Sequence, residues 1–337
     1  MSVPPLPDLH ALPGVELHLH LEGCLDRRGL QELLRRNGVP EHRWPESEDQ
    51  VFSGRDMDGF LQGWLRMTRL VRHETDFAVF AESLCDYMER QQLLYAEVFY
   101  SPDSYVLGRG FRLDLIDQAI EEVLLRRGVH VNLICDFVRN LGPDHALRFW
   151  HEHLHPRRWS RVKAIGIGGA ETVAPAAQFA ELFALAGAAG YGLTAHAGEW
   201  ADAASVRAAV DVLGVSRIGH GTRAASDPAL LDLLREKRVC LDLCPGSNRR
   251  TGSLAPQESH PFPLFRQAGL ALTLNSDDPG FFGTSLKTEL AHAAREWSLD
   301  ANALLDLQLA AADHSFLLKS QKQDLKNRLF REWSVGM

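Results

Sequence analysis

Short apolar runs alternate with amphipathic segments along almost the whole chain. Eight of these runs are rich in branched aliphatic residues, and a continuous apolar run of this length is typical of a strand buried on both faces. They cover residues 15–19, 94–99, 129–135, 162–167, 192–195, 217–219, 239–243 and 270–274. Segments with helical periodicity lie between most of them, at 77–91, 113–127, 174–189, 203–213 and 228–237. Glycines such as Gly128 and Gly190 are predicted to cap these helices.

Repeated strand and helix units predict an α/β fold, and the choice lies between a (β/α)8 TIM barrel and an open doubly wound sheet. No GxGxxG fingerprint follows the first run, and polar residues end several different runs instead of collecting at one switch point. We therefore predict a (β/α)8 barrel. No internal repeat or low-complexity linker divides the chain, so residues 1–337 are predicted to form one domain.

Two regions depart from the repeat. About seventy residues separate the first two predicted strands, and they include Phe60 and Trp64 among polar positions. We expect this insertion to form helices over the barrel mouth. Near the C-terminus, helices are predicted over 286–297 and 302–318, followed by a polar tail.

Composition and charge narrow the classes of partner. The chain has 337 residues, of which 45% are hydrophobic and 24% charged, so it can bury a sizeable core. Its formal charge of -8 favours neither nucleic acid nor an anionic membrane, which leaves a small molecule as the expected partner. The five scattered cysteines and the absence of an apolar export or membrane segment predict a cytoplasmic protein with reduced thiols.

Ionisable residues follow the apolar runs at the ends where barrel enzymes place their chemistry. In GVELHLHLEG, His18 and His20 project to the same face of an extended strand because side chains alternate with a period of two. An isolated pair of this kind is as often structural as functional. Further groups end other predicted strands: His196 and Glu199 in GLTAHAGE, His220 in RIGHGTR, and Asp277 and Asp278 in LTLNSDDPGFFG.

Burying several histidines and carboxylates together is costly unless they are paired or bind a cation. Neutral imidazoles with one carboxylate suit zinc and leave a position open for water, although iron and manganese take the same ligand types. Because such a metal lowers the pKa of its water to about 7 in favourable sites, hydrolysis is the expected chemistry.

The motifs ELHLHLEG, GGAE, HAGE, IGHG, CPGSN and NSDDP occur in this order on these strands. Together they resemble the adenosine and adenine deaminase branch of the metal-dependent amidohydrolase superfamily, from about residue 12 to residue 318. The resemblance implies one zinc ion per chain. Its implied ligands are His18, His20, His196 and Asp277.

The same resemblance implies roles in deaminating a 6-aminopurine. Glu199 would face N1, His220 and Asp277 would orient the attacking water, Asp278 would contact N7, and the backbone amide of Gly169 would contact N3; His20 and Glu22 complete the implied substrate-binding set. An amino group leaves an aromatic ring poorly, so attack at C6 must be coupled to protonation of N1. A desolvated Glu199 that keeps its proton can supply it.

The residue at position 22 bears on the substrate. Adenosine deaminases commonly carry Asp where this chain has Glu22, and that Asp contacts the ribose. The motifs YSPDSY and FGTSL nevertheless look more like those of nucleoside deaminases. We therefore expect an adenosine-type nucleoside as the substrate, with adenine or aminodeoxyfutalosine as the alternatives.

Two other classes are less compatible with the sequence. A superfamily hydrolase of lactones, esters or phosphotriesters usually needs a carboxylated lysine at the end of the fourth strand, where this chain has GIGGAE. A non-catalytic purine binder would typically have lost a metal ligand, and all four implied ligands are present.

Overall fold

Eight parallel strands pair in the order in which they occur along the chain. They are seen in a computed structural model that describes residues 7–157 and 159–336. The strands are β1 Gly14–His20, β2 Leu93–Tyr100, β3 Val131–Val138, β4 Val162–Gly168, β5 Gly192–Ala197, β6 Arg217–His220, β7 Cys240–Leu243 and β8 Ala271–Leu274. All eight predicted strands are present, and the predicted (β/α)8 barrel is confirmed. The largest difference is at β3, which runs to Val138 instead of ending at residue 135.

Helices connect the strands. They are α1 Arg27–Arg36, α2 Trp44–Phe52, α3 Met57–Thr68, α4 Phe77–Arg90, α5 Asp103–Arg109, α6 Leu113–Arg127, α7 Pro143–Phe149, α8 His155–Arg157, α9 Ala180–Ala188, α10 Ala203–Asp211, α11 Pro228–Glu236, α12 Pro245–Thr251, α13 Phe262–Gln267, α14 Pro279–Phe282, α15 Leu286–Glu296, α16 Ala301–His314 and α17 Lys319–Gly336. A π-helical turn, Trp150–Leu154, joins α7 to α8. Gly128 ends α6 in the left-handed region at a φ of 66°, as its capping role requires.

The insertion between β1 and β2 is helical, and its helices α2 and α3 bring aromatic side chains to the barrel mouth. The ring of Phe60 lies 5.0 Å from that of Phe282, and the ring of Trp64 lies 5.5 Å from that of Phe281, both on α14. The Trp64 ring also meets His20 edge-on with a centroid distance of 6.5 Å. The insertion thus forms helices over the barrel mouth, as predicted from the sequence.

The C-terminal prediction was partly wrong, because α16 ends at His314 and the polar tail forms a separate helix, α17. Leu325, Leu329 and Trp333 recur every four residues, so they form one buried stripe on an otherwise polar helix. The stripe packs against α16, and Trp333 Nε1 donates to the carbonyl of Pro13 at 3.0 Å. The helix was not predicted because its apolar positions are few and most of its other residues are polar or charged.

Two expectations from composition can be compared with the structure. All five cysteines lie in its described part, and each is buried and free of any disulfide. Among the helices in residues 7–157 and 159–336, none is both long and apolar enough to cross a membrane.

Candidate active site

Four side chains predicted as metal ligands meet at the C-terminal rim of the barrel. His18 and His20 lie on β1, His196 lies on β5, and Asp277 follows β8. His20 Nε2 is 3.3 Å from His196 Nε2 and 3.2 Å from Asp277 Oδ1, while His18 Nε2 is 3.4 Å from the same Asp277 oxygen. His220 joins His18, His196 and Asp277 in a group whose ligand atoms all lie within 4.8 Å of one another.

The donor chemistry of this cluster fits a divalent metal ion. His18 is fully buried, and neither of its ring nitrogens has a hydrogen-bond partner within the described residues. Burial lowers the pKa of His18 to about 3 and holds the pKa of His196 well below its usual value. These two imidazoles are therefore uncharged at physiological pH, the form in which a histidine can donate a lone pair to a metal ion.

Two residues of the site have strained backbone. His220 and Asp277 have φ angles of 64° and 65°, in the left-handed region that residues with a side chain rarely adopt. Such a conformation persists only where the surroundings hold it, and it is common at active sites. Both side chains lie in the cluster of ligand atoms, so the surroundings hold this strained backbone at the site.

Three ionisable groups next to the ligands can handle protons. Burial raises the pKa of Glu199 to about 7, and the pKa of Asp278 stands well above its usual range through burial and the adjacent Asp277. His220 Nε2 lies 3.7 Å from Glu199 Oε2 and 3.8 Å from Asp277 Oδ2. The site therefore combines a carboxyl group that can hold a proton near neutral pH with an imidazole between it and a ligand.

Glu171 fixes the loop that carries Glu199, a role that the sequence analysis did not assign. Its carboxylate accepts hydrogen bonds from the backbone N–H groups of Gly198 at 2.8 Å, Glu199 at 2.9 Å and Trp200 at 2.9 Å. Ser205 Oγ donates to it at 2.6 Å. The acid of the GGAE motif thus anchors the HAGE loop.

Gly169 is the second glycine of that motif and directly follows β4. Its φ of 94° lies in the left-handed region. A Cβ at this position would come within 2.5 Å of Asn140 Oδ1, which accepts the Ala170 N–H at 2.9 Å. The geometry thus explains why glycine stands here, while its contact with purine N3 stays a prediction.

His220 is oriented by a residue of the CPGSN motif. Asn248 Nδ2 lies 3.2 Å from His220 Nδ1 and 2.9 Å from Ser253 Oγ. Asn248 is fully buried, so it holds the far side of the imidazole while Nε2 faces Glu199 and Asp277.

Glu22 lies in the short turn Glu22–Cys24 that follows β1, and only 2% of it is exposed. Burial raises its pKa to about 7. The same holds for Asp103 and Asp136, which interact electrostatically with Glu22 and which the sequence analysis did not identify as site residues. Asp136 was missed because β3 was predicted to end one residue before it; an acid near the end of an apolar run was the available signal.

A (β/α)8 barrel with histidines and carboxylates at the C-terminal ends of β1, β5, β6 and β8 is the architecture of the amidohydrolase superfamily. Within it, the chain belongs to the adenosine deaminase family, whose model matches residues 13–332. The family predicted from the motifs is therefore confirmed.

Individual relatives cover nearly the same length. The chain is 33% identical to the adenine deaminase of Rhodospirillum rubrum over 329 residues, covering 95% of this chain and 97% of that protein. It is 35% identical to the aminodeoxyfutalosine deaminase of Streptomyces coelicolor over 321 residues, covering 92% of this chain and 82% of that protein. The crystal structure of adenine deaminase from Arthrobacter aurescens superposes with a TM-score of 0.84 at 27% identity, covering 95% of this chain and 99% of that one.

Proposed function

We propose that this protein is a zinc-dependent adenine deaminase, which converts adenine and water into the 6-oxopurine and ammonia. The motifs YSPDSY and FGTSL favoured adenosine as the substrate, and the relatives do not support that choice. The relatives named above fit its alternatives better, and two of those three proteins are named adenine deaminase.

The observation that carries the choice of a free base is the burial of Glu22 beside the metal ligands. Gly23 packs so closely against Asp278 that a Cβ there would overlap the Asp278 carboxylate, so the Glu22 turn lies directly against the site. A free purine base bears an N–H at N9, where a nucleoside bears its sugar. A buried carboxylate can accept that N–H, whereas a sugar would need the space that the turn occupies.

The metal would be held by His18, His20, His196 and Asp277. When bound, it supplies Lewis acidity and lowers the pKa of a water molecule. The remaining steps belong to side chains of this chain. Glu199 in its protonated form donates to N1 of the purine and so makes C6 electrophilic. Asp278 exchanges a hydrogen bond with N7, and its raised pKa allows it to be the donor.

The covalent changes balance with water alone. A water oxygen bonds to C6, and the bond from C6 to the exocyclic nitrogen breaks. One water proton goes to that nitrogen, which leaves as ammonia, and the other replaces the proton that Glu199 gives to N1. His220 lies within 4 Å of both Glu199 and Asp277, where it can orient the attacking oxygen and assist the proton transfer.

Metal analysis tests the cofactor. Protein purified without chelator is expected to contain one zinc ion per chain by elemental analysis. His196→Ala removes a ligand and should lose that ion, whereas His42→Ala, on the exposed surface, should retain it. Two tightly bound metal ions per chain, or full activity in metal-free protein, would contradict the proposed centre.

Ammonia release tests the substrate. Zinc-loaded protein should be assayed with adenine, adenosine, deoxyadenosine, methylthioadenosine and aminodeoxyfutalosine. We expect adenine to have the highest kcat/KM, by about tenfold or more, since a site built around a substrate N–H rejects analogues that lack it. A nucleoside that outperforms adenine would overturn the free-base assignment, and no ammonia from any of the five would overturn deamination itself.

A further inference from the structure

The junction between β8 and β1 differs from the other seven junctions of the barrel. Each of the others is a parallel ladder between successive strands. In the described residues no ladder joins β8 to β1, and only an isolated bridge between Leu19 and Asp277 connects them. There His20 N donates to Asp277 O at 3.0 Å and Asp277 N donates to His18 O at 3.2 Å. The barrel is therefore closed by the metal ligands and their immediate neighbours.

Asn275 reaches across this junction from the β8 side. A bulge in β1 places three steps from Glu16 to Leu19 opposite two steps on β2. At such a bulge two successive N–H groups can point the same way. Those of Leu17 and His18 both donate to Asn275 Oδ1, at 3.0 and 3.1 Å. Asn275 is fully buried, and its Nδ2 donates to Thr273 Oγ1 at 2.9 Å, so its amide orientation is determined.

Glu16 reaches across the same junction from the β1 side. Its Oε1 accepts from the backbone N–H of Ser276 at 2.6 Å and from Ser276 Oγ at 2.7 Å. Its Oε2 accepts from Tyr87 on α4 at 2.9 Å, and the Tyr87 oxygen in turn accepts the Leu286 N–H at 2.9 Å. Glu16 and Ser276 are fully buried, so these hydrogen bonds are shielded from water.

We propose that Asn275 and Glu16 form a reciprocal clasp that positions the metal ligand Asp277 against His18 and His20. Each side chain of the clasp binds backbone N–H groups of the opposite segment: Asn275 binds β1, and Glu16 binds the residue directly before Asp277. Asp277 itself has strained left-handed backbone, which must be held by its surroundings. The clasp acts through the ligands, so Asn275 and Glu16 are positioning residues that touch neither metal nor substrate.

This inference rests on the metal-dependent part of the proposed function and is independent of which purine is the substrate. Groups that orient metal ligands typically change metal affinity by about ten- to a hundredfold when mutated. Accordingly, Asn275→Ala and Glu16→Ala should each weaken zinc binding by about that factor. Glu16→Gln keeps the oxygen that accepts from Ser276 and should restore affinity to near the wild-type value.

Gln308 lies on α16 and also binds the backbone of β1, so it offers a matched control. It is almost fully buried, and its Oε1 accepts the Val15 N–H at 2.7 Å, at the end of β1 away from the ligands. Gln308→Ala therefore breaks the same kind of bond between a side chain and β1. It should lower the unfolding temperature of the metal-free protein while leaving zinc affinity unchanged.

The measurement is the zinc dissociation constant by competition with a chromophoric chelator, with thermal unfolding of each metal-free variant alongside. The clasp is supported if zinc binding is weakened in Asn275→Ala and Glu16→Ala and is near the wild-type value in Glu16→Gln. Zinc affinity should be unchanged in Gln308→Ala. Equal affinity in all variants, or equal loss in Gln308→Ala, overturns it while wild-type zinc binding leaves the proposed function intact. Should Asn275→Ala fail to fold, the Glu16→Ala and Glu16→Gln pair decides alone. Wild-type protein that binds no zinc would overturn both.

Discussion

Replacing Glu199 by glutamine is expected to lower kcat by about two to four orders of magnitude, the usual contribution of general acid–base catalysis. Glutamine keeps the size of the side chain and can still donate a hydrogen bond, but it cannot transfer a proton to N1. The backbone of residue 199 is held by the Glu171 carboxylate, so the loop should keep its conformation in the variant. The loss should appear in turnover measured as ammonia release.

Metal content and a surface control separate this effect from a structural one. Glu199→Gln should retain as much zinc as the wild type, because Glu199 is not among the ligands. Glu181→Gln makes the same chemical change on the exposed face of α9 and should leave kcat unaltered. Turnover of Glu199→Gln within a few fold of wild type would remove Glu199 from the mechanism.

Replacing Glu22 by alanine is expected to raise the ratio of kcat/KM for adenosine to that for adenine by about ten- to a hundredfold. Leaving a buried N–H without its acceptor costs roughly 1 to 3 kcal/mol, so the change should weaken the binding of adenine, whose N9–H would lose its acceptor. The same truncation opens space for a sugar next to the turn Glu22–Cys24. Both effects move the ratio in one direction.

The opposite sign identifies the opposite substrate. If Glu22 instead bound a sugar hydroxyl, Glu22→Ala would weaken adenosine and lower the ratio. Glu22→Asp keeps the carboxylate and removes one methylene, so it should raise the ratio less than alanine does. A ratio that stays constant in both variants would show that Glu22 contacts neither the base nor the sugar.

Much of the fold and of the candidate site could be predicted from local sequence patterns. The strands of the barrel could be read one by one, because a strand covered on both faces must be apolar wherever it lies in the fold. His18, His196, His220 and Asp277 could be selected because each ends such a strand, and the carboxyl ends of barrel strands meet at one rim. The structure brings these residues together as expected.

Features that depend on contacts between distant segments could not be predicted from local patterns. Asp136 depended on where β3 ends, and strand ends are the least reliable part of a sequence-based assignment. The helix α17 depended on a buried stripe of Leu325, Leu329 and Trp333, which has a partner only once α16 and Pro13 are in place.

The sequence by itself determined the barrel, the family and the residues that end its strands, because these depend on apolar periodicity and on motifs within single segments. Only the tertiary structure decided what holds those residues in place. Glu16 and Asn275 stand 259 positions apart, yet each binds backbone next to the other across one junction. Such pairing leaves no local pattern, because it arises from the closure of the barrel, which brings the first strand beside the last.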